Sequence, residues 1–396
     1  MEKKGRQVAF IVKDTKTYMN SEEAAYVFTD SGDQKLLFIL IPKNIGSNLK
    51  ERMQETVDEE LWDKIIWIRT RSNSISSGQK TKKKRNALYR YLMDTKEFLY
   101  NYLDRLNLDK VAKKAGRCKL VISAHKNTQE HLAAALKPEK LILVDSGHRI
   151  FKRIGSDGYI DYSKWFIDNS RFTRYMYWWT GLKLFDRSKT ILFTVYADEI
   201  ETRHQVVKNE FAYRSHLYDS KELGDKIVWI STPIYDIAEG VSIKDYTSYV
   251  KHYMEHLGLE GDELIYVPQP GKESESDITF IQNQLKCRID DRDIPVESKL
   301  ANYKKLPKAC ISPFSSALVN ILAASKGRIE MVSAWHYEFD FFEIWSDWKS
   351  DVKKNSELKI RFLELPAAPS LFHIQWDSRE RKPLYKTFKD WEKKLA

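Results

Sequence analysis

The stretch "KLVISAHKNTQEHLAAALKPEKLILVDSG" (119–147) decides the fold. KLVISA (119–124) is a short apolar run, TQEHLAAALK (128–137) is built from helix formers, and KLILVDSG (140–147) is apolar again. Strands separated by helices imply a parallel α/β sheet. Working outward, QVAFIV (7–12), KLLFILIP (35–42) and KIIWIRT (64–70) read as further strands. SEEAAYVF (21–28) opens like a capped helix, and residues 86–106 form a long amphipathic stretch. The pattern then restarts. KIVWIST (226–232) leads through PIYDIAEGVS into a helix, IKDYTSYVKHYMEHLG (243–258). DELIYVPQP (262–270), KACISP (308–313) and RIEMVSA (328–334) are the next strands. No internal repeat is visible. The fold class expected is therefore α/β, with two Rossmann-like halves facing a central cleft. Their boundary falls near 215–225, giving domains 1–222 and 223–396. In such sheets ligands bind beyond the carboxyl ends of the strands. The segments VDSGHR, PQPGKE and PFSSAL all occupy such positions.

With 396 residues, 42% hydrophobic and 13% aromatic, the chain can bury a large core. No apolar run reaches the roughly 18 residues of a membrane span. The start, MEKKGRQVAFIVKD, is a charged segment followed by an apolar strand too short for a signal peptide. Cys118, Cys287 and Cys310 are widely spaced and lack metal-ligand spacing, so reduced core cysteines of a cytoplasmic protein are expected. The nine histidines form no HExxH and no His/Cys cluster. A net charge of +10 favours an anionic partner. The sharpest basic run, KTKKKR (80–85), reads as a solvated loop or as a contact to a membrane or an anionic acceptor. Nucleic acid is not expected, because no nucleic-acid module pattern accompanies the charge. The aromatic run RYMYWWTGLKLF (174–185) reads as core, or else as a sugar-stacking or membrane-facing element. Leu384, Phe388, Trp391 and Leu395 recur at helical spacing and define a last helix that packs against a domain or, given its lysines, lies on a membrane surface.

The stretch CISPFSSALVN (310–320) places Ser315 and Ser316 between a strand and a helix. Serine is poor inside a helix and good at its start. The pair is either an ordinary N-cap or an anion cradle, where free N–H groups and the positive dipole end converge.

Taken in order, IVWISTPIYDIAEGVSIKDYTSYVKHYMEHL, YVPQPGKES, DIPVES and ISPFSSALVN resemble the donor domain of bacterial sialyltransferases. The nearest groups are the lipooligosaccharide sialyltransferases and the capsular polysialyltransferases. VAFIVKDTKTYMNSEEA and ISAHKNTQEHLAAALKPEKLILVDSG resemble the acceptor domain of the same families. The Pro-Val-Glu and Phe-Ser-Ser-Ala-Leu motifs are the specific part.

The resemblance implies a GT-B fold, with the CMP-linked sugar held mainly by the C-terminal half. It implies that Ser315 and Ser316 bind the donor phosphate and that Glu297 binds the ribose hydroxyls. The family's His-Pro pair, which contacts the phosphate and assists departure of CMP, reads Gln269-Pro270 here. Glutamine donates a hydrogen bond but carries no proton or charge at neutral pH. Phosphate stabilisation is then shared with a cation such as Lys272, or the donor pose differs, or the reaction is slow. The acidic motif of the acceptor domain reads Asp145-Ser146-Gly147. Asp145 is one candidate base and His148 the other; their bland readings are a turn cap and a surface residue.

The expected activity is thus inverting transfer of sialic acid from CMP-sialic acid to a hydroxyl of a cell-surface glycan, lipooligosaccharide or capsular polysaccharide. No cofactor and no metal are expected. The expected partners are a nucleotide-sugar donor, a glycan acceptor and the inner leaflet of a membrane. The alternatives are a transferase of another CMP-linked acid sugar or other nucleotide sugar, and a catalytically silent glycan- or nucleotide-binding relative.

Overall fold

The computed structural model describes residues 5–42, 47–71, 87–124, 127–145, 154–155, 157–160, 181, 185–198, 200–237, 241–269, 272–290, 294–341, 343–354, 359–365 and 371. QVAFIV forms β1 (Gln7–Val12), buried almost throughout. With β2 (Gln34–Pro42), β3 (Lys64–Thr70), β4 (Leu120–Ala124), β5 (Lys140–Val144), β6 (Thr190–Thr194) and β7 (Gln205–Lys208) it makes a seven-stranded sheet. The order is β3-β2-β1-β4-β5-β6-β7, and every pairing is parallel.

Continuous apolar runs suit this sheet because both of its faces are covered. On one face Phe10, Leu37, Ile122 and Ile142 pack with Tyr18 and Ala24 of α1 (Thr15–Phe28) and Met53 of α2 (Ser47–Thr56). On the other, Ile11, Phe38, Val121 and Leu141 pack with Leu108 of α3 (Ala87–Ala115) and Leu132 of α4 (Asn127–Ala135). Alternate residues of one strand thus serve opposite layers.

The helix expected at 21–28 begins earlier. Asp14 is its N-cap and makes a capping box with Thr17. Ser21 lies inside the helix, its hydroxyl donating to the Thr17 carbonyl at 2.8 Å. A serine bonded back to its own helix leaves no trace in sequence that separates it from a cap.

The second sheet contains β8 (Ile227–Ile230), β9 (Leu264–Val267), β10 (Arg288–Ile289), β11 (Ala309–Ser312), β12 (Glu330–Trp335) and β13 (Ile360–Glu364). Its order is β10-β9-β8-β11-β12-β13, again wholly parallel. Counted within this half, the order is third-second-first-fourth-fifth-sixth. The first six strands of the other half are arranged in the same way. This is the doubly wound order, and it places a topological switch point between β1 and β4 and another between β8 and β11. The connecting helices are α5 (Ala212–Asp219), α6 (Ile234–Ile237), α7 (Ile243–His256), α8 (Glu275–Leu285), α9 (Val296–Asn302), α10 (Ser316–Ala324) and α11 (Glu343–Lys354).

The chain divides into two compact units, Met1–Tyr213 and Arg214–Ala396, ahead of the 222/223 position taken from the sequence. Hydrogen bonds tie α5 to the second unit. Tyr218 donates its hydroxyl to the Glu297 carbonyl at 2.6 Å, and Arg328 donates to the Tyr218 carbonyl at 3.1 Å.

The three cysteines are buried, and burial pushes the Cys118 and Cys287 thiols up to about 11. Among the described residues no helix is long and apolar enough to cross a membrane. The KTKKKR run, most of the aromatic run at 174–185 and the helix expected at 384–395 lie outside the described residues.

Candidate functional site

The serine pair stands where β11 gives way to α10. Ser315 is the N-cap, with extended backbone at φ −145° and ψ 132°, and its hydroxyl oxygen accepts from the Ala317 N–H at 3.2 Å. Ser316 is the first helical residue. Capping uses one lone pair of Ser315 and leaves its O–H proton for another acceptor. The cap and the anion cradle are therefore compatible roles for one residue. The position in the sheet is specific, because β11 and β8 flank the switch point of this unit. Thr232, just after β8, spans that gap: its hydroxyl donates to the Phe314 carbonyl at 3.2 Å and lies 3.3 Å from the Ser312 hydroxyl.

Glu297 belongs to the first turn of α9, behind Pro295 at the N-cap, and is buried. Its Oε1 accepts from the Asn320 amide at 2.8 Å. Asn320 and Ser316 are four residues apart on α10 and so share a face of that helix. The amide thereby links the glutamate to the helix whose first turn bears the serines. Oε2 accepts from no described protein group. The negative charge of Glu297, with burial as the larger cause, raises the Cys310 thiol. Asn320 was missed in the sequence reading, although it stands one helical turn after Ser316 in the same quoted stretch.

Gln269 follows β9. Its N–H donates to Glu273 Oε2 at 2.6 Å, and its carbonyl accepts from the Lys272 N–H at 3.2 Å. Its side-chain oxygen is buried with no hydrogen-bond partner. Lys272 is exposed and pairs with Asp236 at 3.5 Å. Beneath this turn lies a buried polar network that the sequence reading did not find. Glu273 Oε1 accepts from Tyr266 at 2.6 Å and from Tyr235 at 3.2 Å. Tyr266 also reaches the Ser231 hydroxyl at 2.8 Å. Burial raises the Glu273 carboxyl above the usual glutamate range, against the lowering pull of these donors. Pro270 lies outside the described residues.

In the first unit Asp145 follows β5 and is buried. Its Oδ2 accepts from the Val195 N–H at 3.1 Å, and its carbonyl accepts from the Asn20 amide at 2.7 Å. The carboxylate thus links the end of β5 to the residue that follows β6. Gln129 of α4 donates to the Ile11 carbonyl at 3.0 Å. The side-chain oxygens of Asn20 and Gln129 are buried without partners. These amides sit at the carboxyl ends of β1, β4 and β5, the edge at which such sheets take ligands. His148 lies outside the described residues.

Gln269, Glu297, Ser315 and Ser316 all fall in the second unit, on loops and helix starts that follow parallel strands. If Glu297 reads ribose hydroxyls, wild type should prefer CMP to 2′-deoxy-CMP, and Glu297→Ala should erase the preference. One hydrogen bond to a charged group is worth about 1.5–3 kcal/mol, so a preference of roughly tenfold or more is expected. An unchanged preference in the variant would remove Glu297 from the ribose site.

No family model matches the chain, and no curated protein matches it in sequence. Solved structures align with most of the chain. An Arabidopsis thaliana UGT complexed with UDP-L-rhamnose aligns at TM-score 0.49 and 11% identity, over 99% of this chain and 95% of that one. The GT-B domain of a Photobacterium damselae sialyltransferase aligns at TM-score 0.46 and 9% identity, over 91% and 100%. A Veillonella parvula glycosyl transferase of family 9 aligns at 0.38 and 11%, over 100% and 98%. No activity is carried over from likenesses at this level. The strand orders themselves define the class: an α/β chain of two Rossmann-like units.

Proposed function

We propose that the protein is an inverting glycosyltransferase that moves sialic acid from CMP-sialic acid to a hydroxyl of a cell-surface glycan. One observation carries the reading: a serine pair at the N-terminus of α10, at the switch point of a doubly wound sheet, with Glu297 bonded to the same helix. Free N–H groups, the dipole and two hydroxyls converge there on a phosphate-sized anion. The Phe-Ser-Ser and Pro-Val-Glu resemblance supplies the CMP-linked donor.

In the reaction the acceptor oxygen attacks the anomeric carbon while the bond from that carbon to the phosphate oxygen breaks. The transition state is oxocarbenium-like. Asp145 or His148 takes the acceptor proton, and CMP leaves with the bonding pair. Ser315, Ser316, the helix N-terminus and the Gln269 amide receive the charge that grows on the phosphate, so positioning and electrostatics supply the acceleration. The reading routes no step through a metal. An acceptor presented at the inner face of a membrane fits the net charge of +10.

Gln269 favours a second reading. An amide cannot protonate a departing phosphate, which fits a different nucleotide-sugar donor or a silent relative. Calorimetry separates these readings. Wild type should bind CMP in preference to UMP, UDP and ADP, and Ser315→Ala/Ser316→Ala should lose that binding. Preference for UDP would keep a nucleotide site and overturn the sialyl donor. Binding of none of them would return the pair to a plain cap.

A further inference from the structure

A pocket lies on the outer edge of the first sheet. β3 is the edge strand, and the end of it faces α3 across a pocket of about 520 Å³. That volume lies within the range of small-ligand sites. Arg69, Arg71 and Lys110 line it, and none of them pairs with a carboxylate among the described residues. Asp104, the nearby acid of α3, is buried and accepts the Arg71 N–H with both oxygens at 2.8 Å. Trp67, Leu103 and Leu106 give the same pocket an apolar wall. Thr70 also lines it; only 1% of that residue is exposed, and its hydroxyl has no hydrogen-bond partner.

The surface around the pocket is unusual for this molecule. Leu99, Tyr102 and Leu106 are 50%, 38% and 37% exposed, and Trp67 is 37% exposed. On α3, positions 99, 102, 103, 106 and 110 recur at helical spacing, so the exposed apolar residues and Lys110 share one face. Clustered exposed apolar side chains mark interaction sites. Cations with no carboxylate partner among the described residues, beside an apolar wall that includes Trp67, match the chemistry of a lipid headgroup region.

We infer that the β3–α3 pocket binds the phosphate of an anionic phospholipid, with the exposed face of α3 lying against the acyl chains. The cations and the Thr70 hydroxyl meet the phosphate oxygens, while Trp67, Leu103 and Leu106 meet the first methylenes. A lipid is favoured over a free saccharide because the apolar strip continues beyond the pocket to Leu99. The inference extends the surface-presented acceptor of the proposed function. It uses no donor chemistry, so vesicle binding and CMP binding can each fail alone.

The test is co-sedimentation of the full chain with vesicles of phosphatidylcholine, with or without phosphatidylglycerol. Wild type should bind only the anionic vesicles. Arg69→Gln/Arg71→Gln/Lys110→Gln should bind them roughly a hundredfold more weakly, at one charge contribution per residue. Bromine-labelled phosphatidylglycerol should quench tryptophan fluorescence, and Trp67→Phe, a small change to the fold, should remove part of that quenching. Equal binding by wild type and the triple variant overturns the inference. So does loss of binding in Lys82→Gln/Lys83→Gln/Lys84→Gln alone, which would assign it to the basic run. Binding of a soluble acidic oligosaccharide with no vesicle binding assigns the pocket to a saccharide and overturns it as well.

Discussion

Ser315→Asp is expected to leave the fold as stable as wild type and to abolish CMP binding. Aspartate caps a helix as well as serine does, and its charge suits the positive end of the dipole. A melting curve should therefore hardly move. The same carboxylate would stand against the donor phosphate. Two like charges about 4 Å apart at an effective dielectric near 20 repel by about 4 kcal/mol, roughly a thousandfold in affinity. Ser315→Ala reads differently: it loses the cap, at about 1 kcal/mol of stability, together with one donor to the phosphate. Ser315→Asn keeps the cap without the charge and should bind more tightly than the aspartate variant. Full CMP affinity in Ser315→Asp would mean that no phosphate sits at this helix start, whatever the motif resembles.

Glu273→Ala is expected to have the largest effect on stability. It strands the Gln269 N–H and the Tyr266 and Tyr235 hydroxyls, all of which now meet one carboxylate. Lost bonds to a buried charged group cost about 1.5–3 kcal/mol each and are not additive, so roughly 3–5 kcal/mol in chemical unfolding is expected. The Gln269 turn would lose its anchor at the same time, which predicts weaker CMP binding in whatever protein remains folded.

The pH dependence has a definite sign. Burial raises the Glu273 carboxyl in the folded chain above its ordinary value of 4.5, so the folded state holds that proton more tightly than the unfolded state. This contribution to stability is complete below 4.5 and is lost as pH rises through the raised folded value. Glu273→Gln does not titrate. The stability of wild type relative to that variant should fall as pH rises above 4.5. Parallel melting temperatures for the two proteins across that range would rule out the raised carboxyl.

Much of the first unit was legible because its strands carry their own signal. QVAFIV and KLILV are apolar on both faces, the mark of strands covered by helices on both sides. The order of these strands was not legible. β6 and β7, and β10 and β13 in the second unit, went unread because TILFT, QVVK, RI and IRFLE are short. In the second unit the serines and Glu297 stood out by residue type and spacing. Asn320, which holds Glu297, did not, since one amide in an apolar helix looks like any tolerated polar residue. Glu273 was quoted within PQPGKE, yet its partners Tyr235, Tyr266 and Ser231 come from three separate segments. Only packing shows that they converge.

The sequence by itself determined the class of fold, the alternation of strand and helix, and the residue types at the start of α10. These follow from local chemistry: apolar periodicity, capping and charge need no distant partner to be read. Tertiary structure decided the rest. No repeat is visible in the sequence, yet six strands of each sheet adopt the same order, because right-handed crossovers around a parallel sheet constrain topology without constraining residue identity. That order turned a serine pair from a helix cap into a group at a switch point. It also brought the cations of β3 and α3 to one pocket, since the residues between 71 and 87 separate them in the chain and only the packing of helix on sheet edge closes the gap.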